Sequence, residues 1–149
     1  MTALIQALTF RKVDELLSLT KQDNGIEVGF HKTSYIGKNV TVAQVAYFNE
    51  FGKNAGPERP FMRTAFKKHA NHITLIRILG RRIINGTLTL DKALDALGEA
   101  ASEAVRQSIV DFSTPGNAQS VITRKGEDNP LVDSGLMLDS VTHRKTRNA

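Results

Sequence analysis

Two long amphipathic stretches, separated by a short turn, constrain the fold of this chain more than any other feature of its sequence. The first runs from residue 61 to about residue 84, and the second from residue 90 to about residue 112. In both, the apolar residues recur with a period of about 3.6, as on one face of an α-helix. Asn85 and Gly86 favour a turn, and Thr89 can cap the helix that follows. We therefore predict an antiparallel helical hairpin.

The same periodicity predicts which face of the hairpin is buried. The apolar residues predicted to face the core are Met62, Ala65, Phe66, Ile73, Ile76, Leu79 and Ile83 in the first helix, and Leu94, Leu97, Ala101, Ala104, Val105, Ile109 and Phe112 in the second. Basic residues occupy another side of the first helix, which predicts a solvated face there. Asp91 lies in the first turn of the second helix, where a carboxylate interacts favourably with the helix dipole.

The segment before the hairpin contains a predicted helix and a predicted strand. Residues 10–19 have apolar residues at helical spacing on one side and charged residues on the other. The apolar set is Phe10, Val13, Leu16 and Leu17, and the charged set is Arg11, Lys12, Asp14 and Glu15. Residues 23–25 read Asp-Asn-Gly, which favours a turn. The alternation from Ile26 to His31 predicts a half-buried strand.

A capping box predicts the start of the next helix. The Thr41 hydroxyl can accept from the backbone N–H of Gln44, and the Gln44 side chain can reach back to Thr41. This helix is expected to run from Val42 to about Phe51 and to end at Gly52, which suits a left-handed position. Residues 53–58 are then a loop, and Pro60 suits the first turn of the following helix.

The last third of the chain has a different composition. Residues 113–129 contain one proline, two glycines and two asparagines but few apolar residues, so a long projecting loop is predicted up to residue 130. After it, Asp133 or Ser134 can cap a short helical turn. A strand is expected from Ser140 to about Arg144, and residues 142–149 are predicted to form a basic tail.

A chain of 149 residues is about the size of one domain. We predict a single α+β domain over residues 1–149. In it, the strand that begins at Ile26 and the C-terminal strand form a small antiparallel sheet, and the sheet packs on the long helical hairpin.

The sequence contains none of the patterns that signal an enzyme. The absence of cysteine excludes disulfides, thiolate metal sites and cysteine nucleophiles. A Gly-x-Ser-x-Gly motif and glycine-rich phosphate or dinucleotide motifs are also absent. His69 and His72 are three residues apart, but no carboxylate lies beside them to complete a metal site. We therefore expect no catalytic residues, cofactor or metal. With no apolar run of about 20 residues and no secretory signal, we also expect cytoplasmic synthesis and no membrane partner.

The net charge of +5 raises the question of nucleic acid binding. Two basic clusters stand out, with Arg77, Arg81 and Arg82 in the first and Arg144, Lys145 and Arg147 in the second. Aromatic residues are not interleaved with either cluster, so a base-stacking surface is not predicted. A solvated helix face and a basic tail are the favoured interpretation. Non-specific attraction to a phosphate backbone remains the alternative.

Two separated segments carry a resemblance to a known family. They are Val45-Ala46-Tyr47-Phe48-Asn49-Glu50-Phe51-Gly52 followed by Arg59-Pro60-Phe61, and Lys125-Gly126 followed by Asn129-Pro130-Leu131-Val132-Asp133-Ser134-Gly135 and Leu138-Asp139-Ser140-Val141. Their sequence and order resemble those of phage virion-morphogenesis and tail-completion (neck) proteins, over roughly residues 41–142. The chain departs from the family at Ser134, where threonine is more usual, and at Leu136-Met137, where a more polar pair is common.

The resemblance implies a structural protein of the phage virion, located in the neck or tail and assembled in the host cytoplasm. It implies a homo-oligomeric ring, hexameric or dodecameric, that joins head to tail. The implied partners are a portal, connector or head-completion protein on one side and a tail terminator or tail-tube protein on the other, with non-specific contact to packaged DNA as a further expectation. The alternatives are a tail terminator and a basic DNA-associated assembly protein.

The residues of the two segments are the candidates for structural or interface roles. They are Asn49, Glu50, Phe51, Gly52, Arg59, Pro60, Phe61, Asp133, Ser134 and Gly135. From the residue types alone, we predict that Arg59 pairs bidentately with Glu50 and so holds a helix end to a helix start. Phe51 is predicted to be a hydrophobic anchor. Residues 133–135 are predicted to form a capped turn that returns the long loop to the domain.

Overall fold

The computed structural model describes residues 24–31, 39–54, 56–68, 72–126 and 128–147. In chain order the elements are β1 (Asn24–Phe30), α1 (Val42–Phe51), α2 (Phe61–Lys68), α3 (His72–Ile84), α4 (Leu90–Val110), α5 (Gln119–Lys125), α6 (Leu136–Asp139) and β2 (Val141–Arg147). Within these ranges, six helices and a two-stranded antiparallel sheet form an α+β fold, which confirms the predicted fold class. The helix predicted over residues 10–19 lies outside the described residues.

Helix α4 is the centre of the domain, and both strands, α2 and α3 pack against it. It begins where the sequence predicts, because the Thr89 hydroxyl accepts from the backbone N–H of Lys92 at 3.3 Å. Ser108, near the end of α4, donates its hydroxyl to the carbonyl oxygen of Phe61 at 2.8 Å. The start of α2 therefore lies beside the end of α4, while α3 packs on α4 and is joined to it by residues 85–89.

The sheet lies close to α4 because the helix has a glycine where the sheet crosses it. A Cβ built on Gly98 would lie 2.2 Å from Cδ2 of His143, far inside a normal contact distance. No other residue therefore fits at position 98 unless the His143 ring moves. Buried Ala101 and Ser102 continue this small-residue face of α4.

The hydrophobic core collects residues from most elements at the C-terminal end of α4. Its buried members are Val42, Ala46, Phe61, Ala65, Val105, Ile109, Leu131, Met137 and Val141. Phe61 is fully buried, and its ring meets that of Phe30 edge to face with centroids 6.2 Å apart. The predicted inward positions of α4 are thus largely confirmed, with Ala101, Ala104, Val105 and Ile109 all buried.

The strands pair over their whole length, from Asn24 opposite Arg147 to Phe30 opposite Val141. This register corrects two predictions. Asn24 and Gly25 belong to β1 instead of a turn, and the predicted basic tail is a strand as far as Arg147. The physical reason is that each strand satisfies the backbone hydrogen bonds of the other, which overrides local turn preference and charge.

Helix α3 differs most from its predicted burial. Leu79 is buried, but the side chains of Ile73 and Ile76 are 67% and 52% exposed, and that of Phe66 in α2 is 45% exposed. All three were predicted to face the core. Apolar periodicity shows that a helix has an apolar face but not which element packs on it. Here only the side of α3 that carries Leu79 packs against α4. Where one helix was predicted from residue 61 to residue 84, two are described, and residues 69–71 between them lie outside the description.

The predicted loop at residues 113–129 contains the helix α5, which corrects the expectation of an irregular segment. Its signal in the sequence is weak, because Ala118 precedes the helix and offers no side-chain cap. Gly126 ends α5 with a left-handed φ of 83°. Across the described part of the chain, no helix combines the length and the apolar character needed to cross a membrane.

Candidate functional site

The two segments that carry the family resemblance meet in space. They line one cavity of about 290 Å³, which we call the junction cavity. Asn49 and Arg59 from the first segment line it, and so do Asp133, Ser134 and Gly135 from the second. Its remaining walls are Val40, Val45, Pro130, Leu131, Leu136 and Met137. Residues far apart in the sequence are therefore brought together at one place in the fold.

Arg59 holds the junction together by donating to three parts of the chain. Its guanidinium reaches the Oδ1 of Asn49 at 3.2 Å, the carbonyl oxygens of Pro115 (3.3 Å), Gly116 (3.0 Å) and Pro130 (3.4 Å), and the Oδ1 of Asn117 (3.5 Å). A planar guanidinium has five fixed donors spread over three nitrogens, so it can reach more acceptors than the single ammonium nitrogen of a lysine, which has three donors. Arg59 therefore ties the end of α1 to both ends of the 113–130 segment.

The charge of Arg59 is used inside the domain. Burial lowers the pKa of Arg59 from its ordinary value, and the nearby Asp128 carboxylate acts in the opposite direction. Asp128 itself accepts from the backbone N–H of Asn117 at 2.8 Å. Because the guanidinium donors already serve carbonyl and amide oxygens, this cation is occupied in holding loops and is poorly placed to bind a phosphate or a carboxylate ligand.

Glu50 does not pair with Arg59, and the predicted clasp between them is wrong. The Glu50 side chain is 5% exposed and accepts from the backbone N–H groups of Met62 (2.8 Å) and Arg63 (3.2 Å). It also accepts from Nε of Arg63 at 2.9 Å. Successive residues of a helix point about 100° apart, so Asn49 faces Arg59 while Glu50 faces α2. Glu50 thus caps α2 from a different helix.

Arg63 is the partner that the sequence prediction missed. Its guanidinium bonds Glu50 and Glu58. These hydrogen bonds raise the pKa of Arg63, and the bond to Glu50 has the largest effect. The same group lies over the Phe51 ring, 5.4 Å from its centroid. The sequence does contain a signal for this pair. Arg63 lies in the first turn of a helix, where free backbone N–H groups attract a carboxylate, so a nearby glutamate could bond both these groups and the Arg63 side chain.

Two further residues of the first segment have clear roles, and one prediction is corrected. Gly52 ends α1 with φ of 61°, and a Cβ there would lie 2.8 Å from the backbone nitrogen of Glu58. Pro60 precedes α2, and its carbonyl oxygen accepts from Thr64 at 2.9 Å. Phe51 is 48% exposed and its ring packs against that of Tyr47 at an interplanar angle of 47°, so it is a surface aromatic and not the predicted hydrophobic anchor.

The second segment is held by its own side chains. Nζ of Lys125 donates to the carbonyl oxygens of Asn129 (2.7 Å) and Val132. Oδ1 of Asn129 accepts from Val132 N–H at 3.2 Å, and its Nδ2 donates to the carbonyl oxygen of Val110 at 3.4 Å. These bonds hold residues 129–132 against Lys125 and against the end of α4.

The prediction that Asp133 or Ser134 caps the short helical turn is wrong, because the N-cap residue of α6 is Gly135. Gly135, with φ of 79°, immediately precedes α6 and has no side chain to cap it. The Ser134 hydroxyl accepts from Leu136 N–H at a long 3.4 Å, while Asp133 is exposed at the cavity edge. Glycine suits this position because the backbone there adopts a left-handed conformation.

The two basic clusters have different environments. Nζ of Lys145 bonds Asp91 and Asp95 of α4, each at 2.9 Å, and Arg144 bonds Glu27 of β1 at 2.6 Å. The hydrogen bonds to Asp95 and Asp91 raise the pKa of Lys145. Arg77, Arg81 and Arg82 of α3 are exposed instead. Arg144 and Lys145 of the C-terminal cluster are therefore ion-paired within the domain.

The junction offers shape and hydrogen bonds but little reactive chemistry. Arg59 and Asp133 are the ionisable residues among those that line the cavity. Among the residues that the structure describes, no three histidine, aspartate or glutamate side chains are grouped to hold a metal ion. Comparisons of the chain with models of protein families, with curated proteins and with solved structures find no match.

Proposed function

We propose that this protein is a structural, non-enzymatic component of a tailed-phage virion that acts in tail completion by joining head to tail. The observation that supports this most is the junction itself. The two segments that resemble tail-completion proteins lie about 70 residues apart in the chain, and Arg59 links them by bonding Asn49 and Pro130. A resemblance carried by residues that build one place in the fold is stronger than one carried by unconnected motifs.

The architecture fits a role in assembly. Arg59, Glu50 and Lys125 bond backbone groups of loops and of the start of α2. These bonds fix the loops in position, as a protein that docks on others requires. In the proposed hexameric or dodecameric ring, copies meet through heterologous contacts whose rotation closes. The segment at residues 113–130 and the C-terminal segment are the proposed contacts to neighbouring copies. The ring then docks a portal, connector or head-completion protein on one side and tail proteins on the other.

The decisive experiment is electron microscopy of particles made without this protein. Tailless heads together with complete free tails support head–tail joining. Overlong or frayed tails point instead to the tail terminator, the alternative within the same class. Normal virions contradict both assignments.

Ring contacts are best tested by substitutions that keep the segment folded. Deleting residues 113–130 would remove the carbonyl groups that Arg59 binds, so loss of assembly would be ambiguous. Thr123→Glu with Arg124→Glu changes exposed positions of α5 instead. Light scattering after size exclusion is expected to show a smaller particle. Unchanged assembly with unchanged tail joining excludes this face as the ring contact.

The exposed arginines of α3 support a second candidate, a DNA-associated assembly protein. Duplex binding that weakens steeply with salt is expected from phosphate contacts alone. Replacing Arg77, Arg81 and Arg82 by alanine should then abolish binding, whereas replacing Arg144 and Lys145 should not, since both are ion-paired within the domain. Binding unaffected by the α3 substitutions rejects this surface.

A further inference from the structure

Helix α3 carries a second apolar stripe beside the one that meets α4. Ile73, Ile76, Gly80 and Ile84 follow one another at helical spacing, and the isoleucines are 67%, 52% and 56% exposed. The buried Leu79 lies on the adjacent side of the helix. Contiguous exposed isoleucines at this spacing are typical of a helix face that another element covers.

The middle of this stripe has room for a close contact. A Cβ built on Gly80 would meet nothing within 4 Å. A glycine in a helix interior is less favourable than alanine, so its presence in the middle of this stripe needs a reason. A notch between Ile76 and Ile84 provides one, because a bulky side chain from a second helix can fill it.

Strand β1 begins at the end of the domain where α3, and with it the stripe, ends. Asn24 lies opposite Arg147, and Lys145 in the same strand bonds Asp91 and Asp95 in the first turns of α4. Helix α3 ends at Ile84, just before α4 begins. At its other end, β1 packs Phe30 against Phe61, the first residue of α2.

The segment that precedes β1 has a matching pattern. Phe10, Val13 and Leu17 have the same i, i+3, i+7 spacing as Ile73, Ile76 and Gly80. A helix over residues 10–19 is about 15 Å long and α3, with 13 residues, is about 20 Å long, so such a helix can cover most of the stripe. Residues 20–23 can span up to about 14 Å when extended, which is enough to connect such a helix to Asn24.

We propose that residues 10–19 form an amphipathic helix that docks on the Ile73–Ile76–Gly80–Ile84 stripe of the same chain. Because the connection to Asn24 is short and β1 begins at the end of the domain where α3 ends, the two helices run parallel. Leu17 fills the notch at Gly80, and Val13 lies beside Ile76. This inference is independent of the proposed role in the virion.

The absence of cysteine from the chain makes thiol labelling a direct test. Ile76→Cys lies on the stripe, and Ile78→Cys is the matched control, because Ile78 is 50% exposed on the same helix but about 200° away. In the full-length protein, the thiol of the Ile76→Cys variant is expected to react on the order of tenfold more slowly than that of the Ile78→Cys variant, because docking protects it. Equal reactivity of the two variants overturns the proposal.

A second substitution identifies what covers the stripe. Adding Leu17→Asp to the Ile76→Cys variant should restore rapid labelling, whereas adding Lys12→Asp, on the charged side of the segment, should not. Protection by the chain's own segment is independent of protein concentration, since a tethered segment acts at about millimolar effective concentration. Protection that rises with protein concentration assigns the stripe to a second copy and overturns the proposal.

A disulfide tests the arrangement of the two helices. Val13→Cys combined with Ile76→Cys should oxidise to a monomeric, internally linked chain, and Val13→Cys with Ile78→Cys should not. Formation of the first disulfide requires Cα atoms about 4.4–6.8 Å apart. Linked dimers from the first pair indicate exchange between copies and contradict docking within one chain.

Discussion

The buried carboxylate of Glu50 bonds Arg63, with Nε and Oε1 2.9 Å apart, and so connects the end of α1 to the start of α2. The adjacent Asn49 bonds Arg59 at 3.2 Å and connects the same helix end to the 113–130 segment. Two neighbouring residues thus serve two different arginines. The end of α1 therefore positions two parts of the chain at once, the start of α2 and the 113–130 segment.

Glu50→Gln should destabilise the domain by about 1–3 kcal/mol, because a buried carboxylate that satisfies two backbone N–H groups and a guanidinium is replaced by a weaker acceptor. Urea denaturation measures the loss of unfolding free energy. Glu58→Gln is the matched control, since Glu58 bonds the same Arg63 from an exposed position and should change stability little. Equal effects of the two substitutions would show that Glu50 is no more than a surface ion pair.

Arg59→Lys should loosen the junction while leaving the core folded. An ammonium group cannot serve acceptors in the directions that the guanidinium reaches, so two or more hydrogen bonds of about 1 kcal/mol each are lost. Local opening then becomes about thirtyfold more frequent, and hydrogen exchange should accelerate at the backbone amides of residues 116–117 and 131–132. Arg124→Lys on the exposed face of α5 should leave exchange unchanged. Uniform acceleration across α4 would indicate global destabilisation instead.

The features that sequence predicts here are those decided by a few neighbouring residues. The capping box of Thr41 and Gln44 forms, with Gln44 N–H 3.2 Å from the Thr41 hydroxyl, and Gly52 and Thr89 end and begin helices as predicted. Each depends on backbone groups within one helical turn. Local chemistry of this kind does not need the tertiary fold to be known.

The partner of a side chain is a different problem, because it depends on where distant elements lie. Glu50 was paired with the wrong arginine since both Arg59 and Arg63 lie within reach in the sequence, and only the orientation of α1 separates them. The exposed Ile76 shows the same limit for packing. Periodicity recognises that a helix has an apolar stripe, but the position of α4 decides which stripe is buried.

Gly98→Ala should destabilise the domain by about 1–3 kcal/mol through overpacking, because its methyl group would lie 2.2 Å from the His143 ring. This outcome is opposite to the usual effect of replacing a helical glycine by alanine. Gly29→Ala is the matched control, since a Cβ there meets nothing within 4 Å. Thermal unfolding of both variants measures the difference. A stabilised Gly98→Ala variant would mean that the His143 ring or the sheet can move away from α4 at no cost.

The ion pairs of Lys145 should make part of the unfolding free energy depend on pH in the alkaline range. Hydrogen bonds to Asp95 and Asp91 raise the pKa of Lys145 above its ordinary 10.5 in the folded protein. The stabilisation is therefore complete below the unfolded pKa and is lost as pH rises through the folded pKa. The difference in unfolding free energy between wild type and Lys145→Gln should stay constant from about pH 7 to 9 and shrink above about pH 10.5. Lys92→Gln, at an exposed position of α4, is the control and should have a small effect throughout. A Lys145→Gln difference that does not change with alkaline pH would show that these ion pairs contribute no net stability.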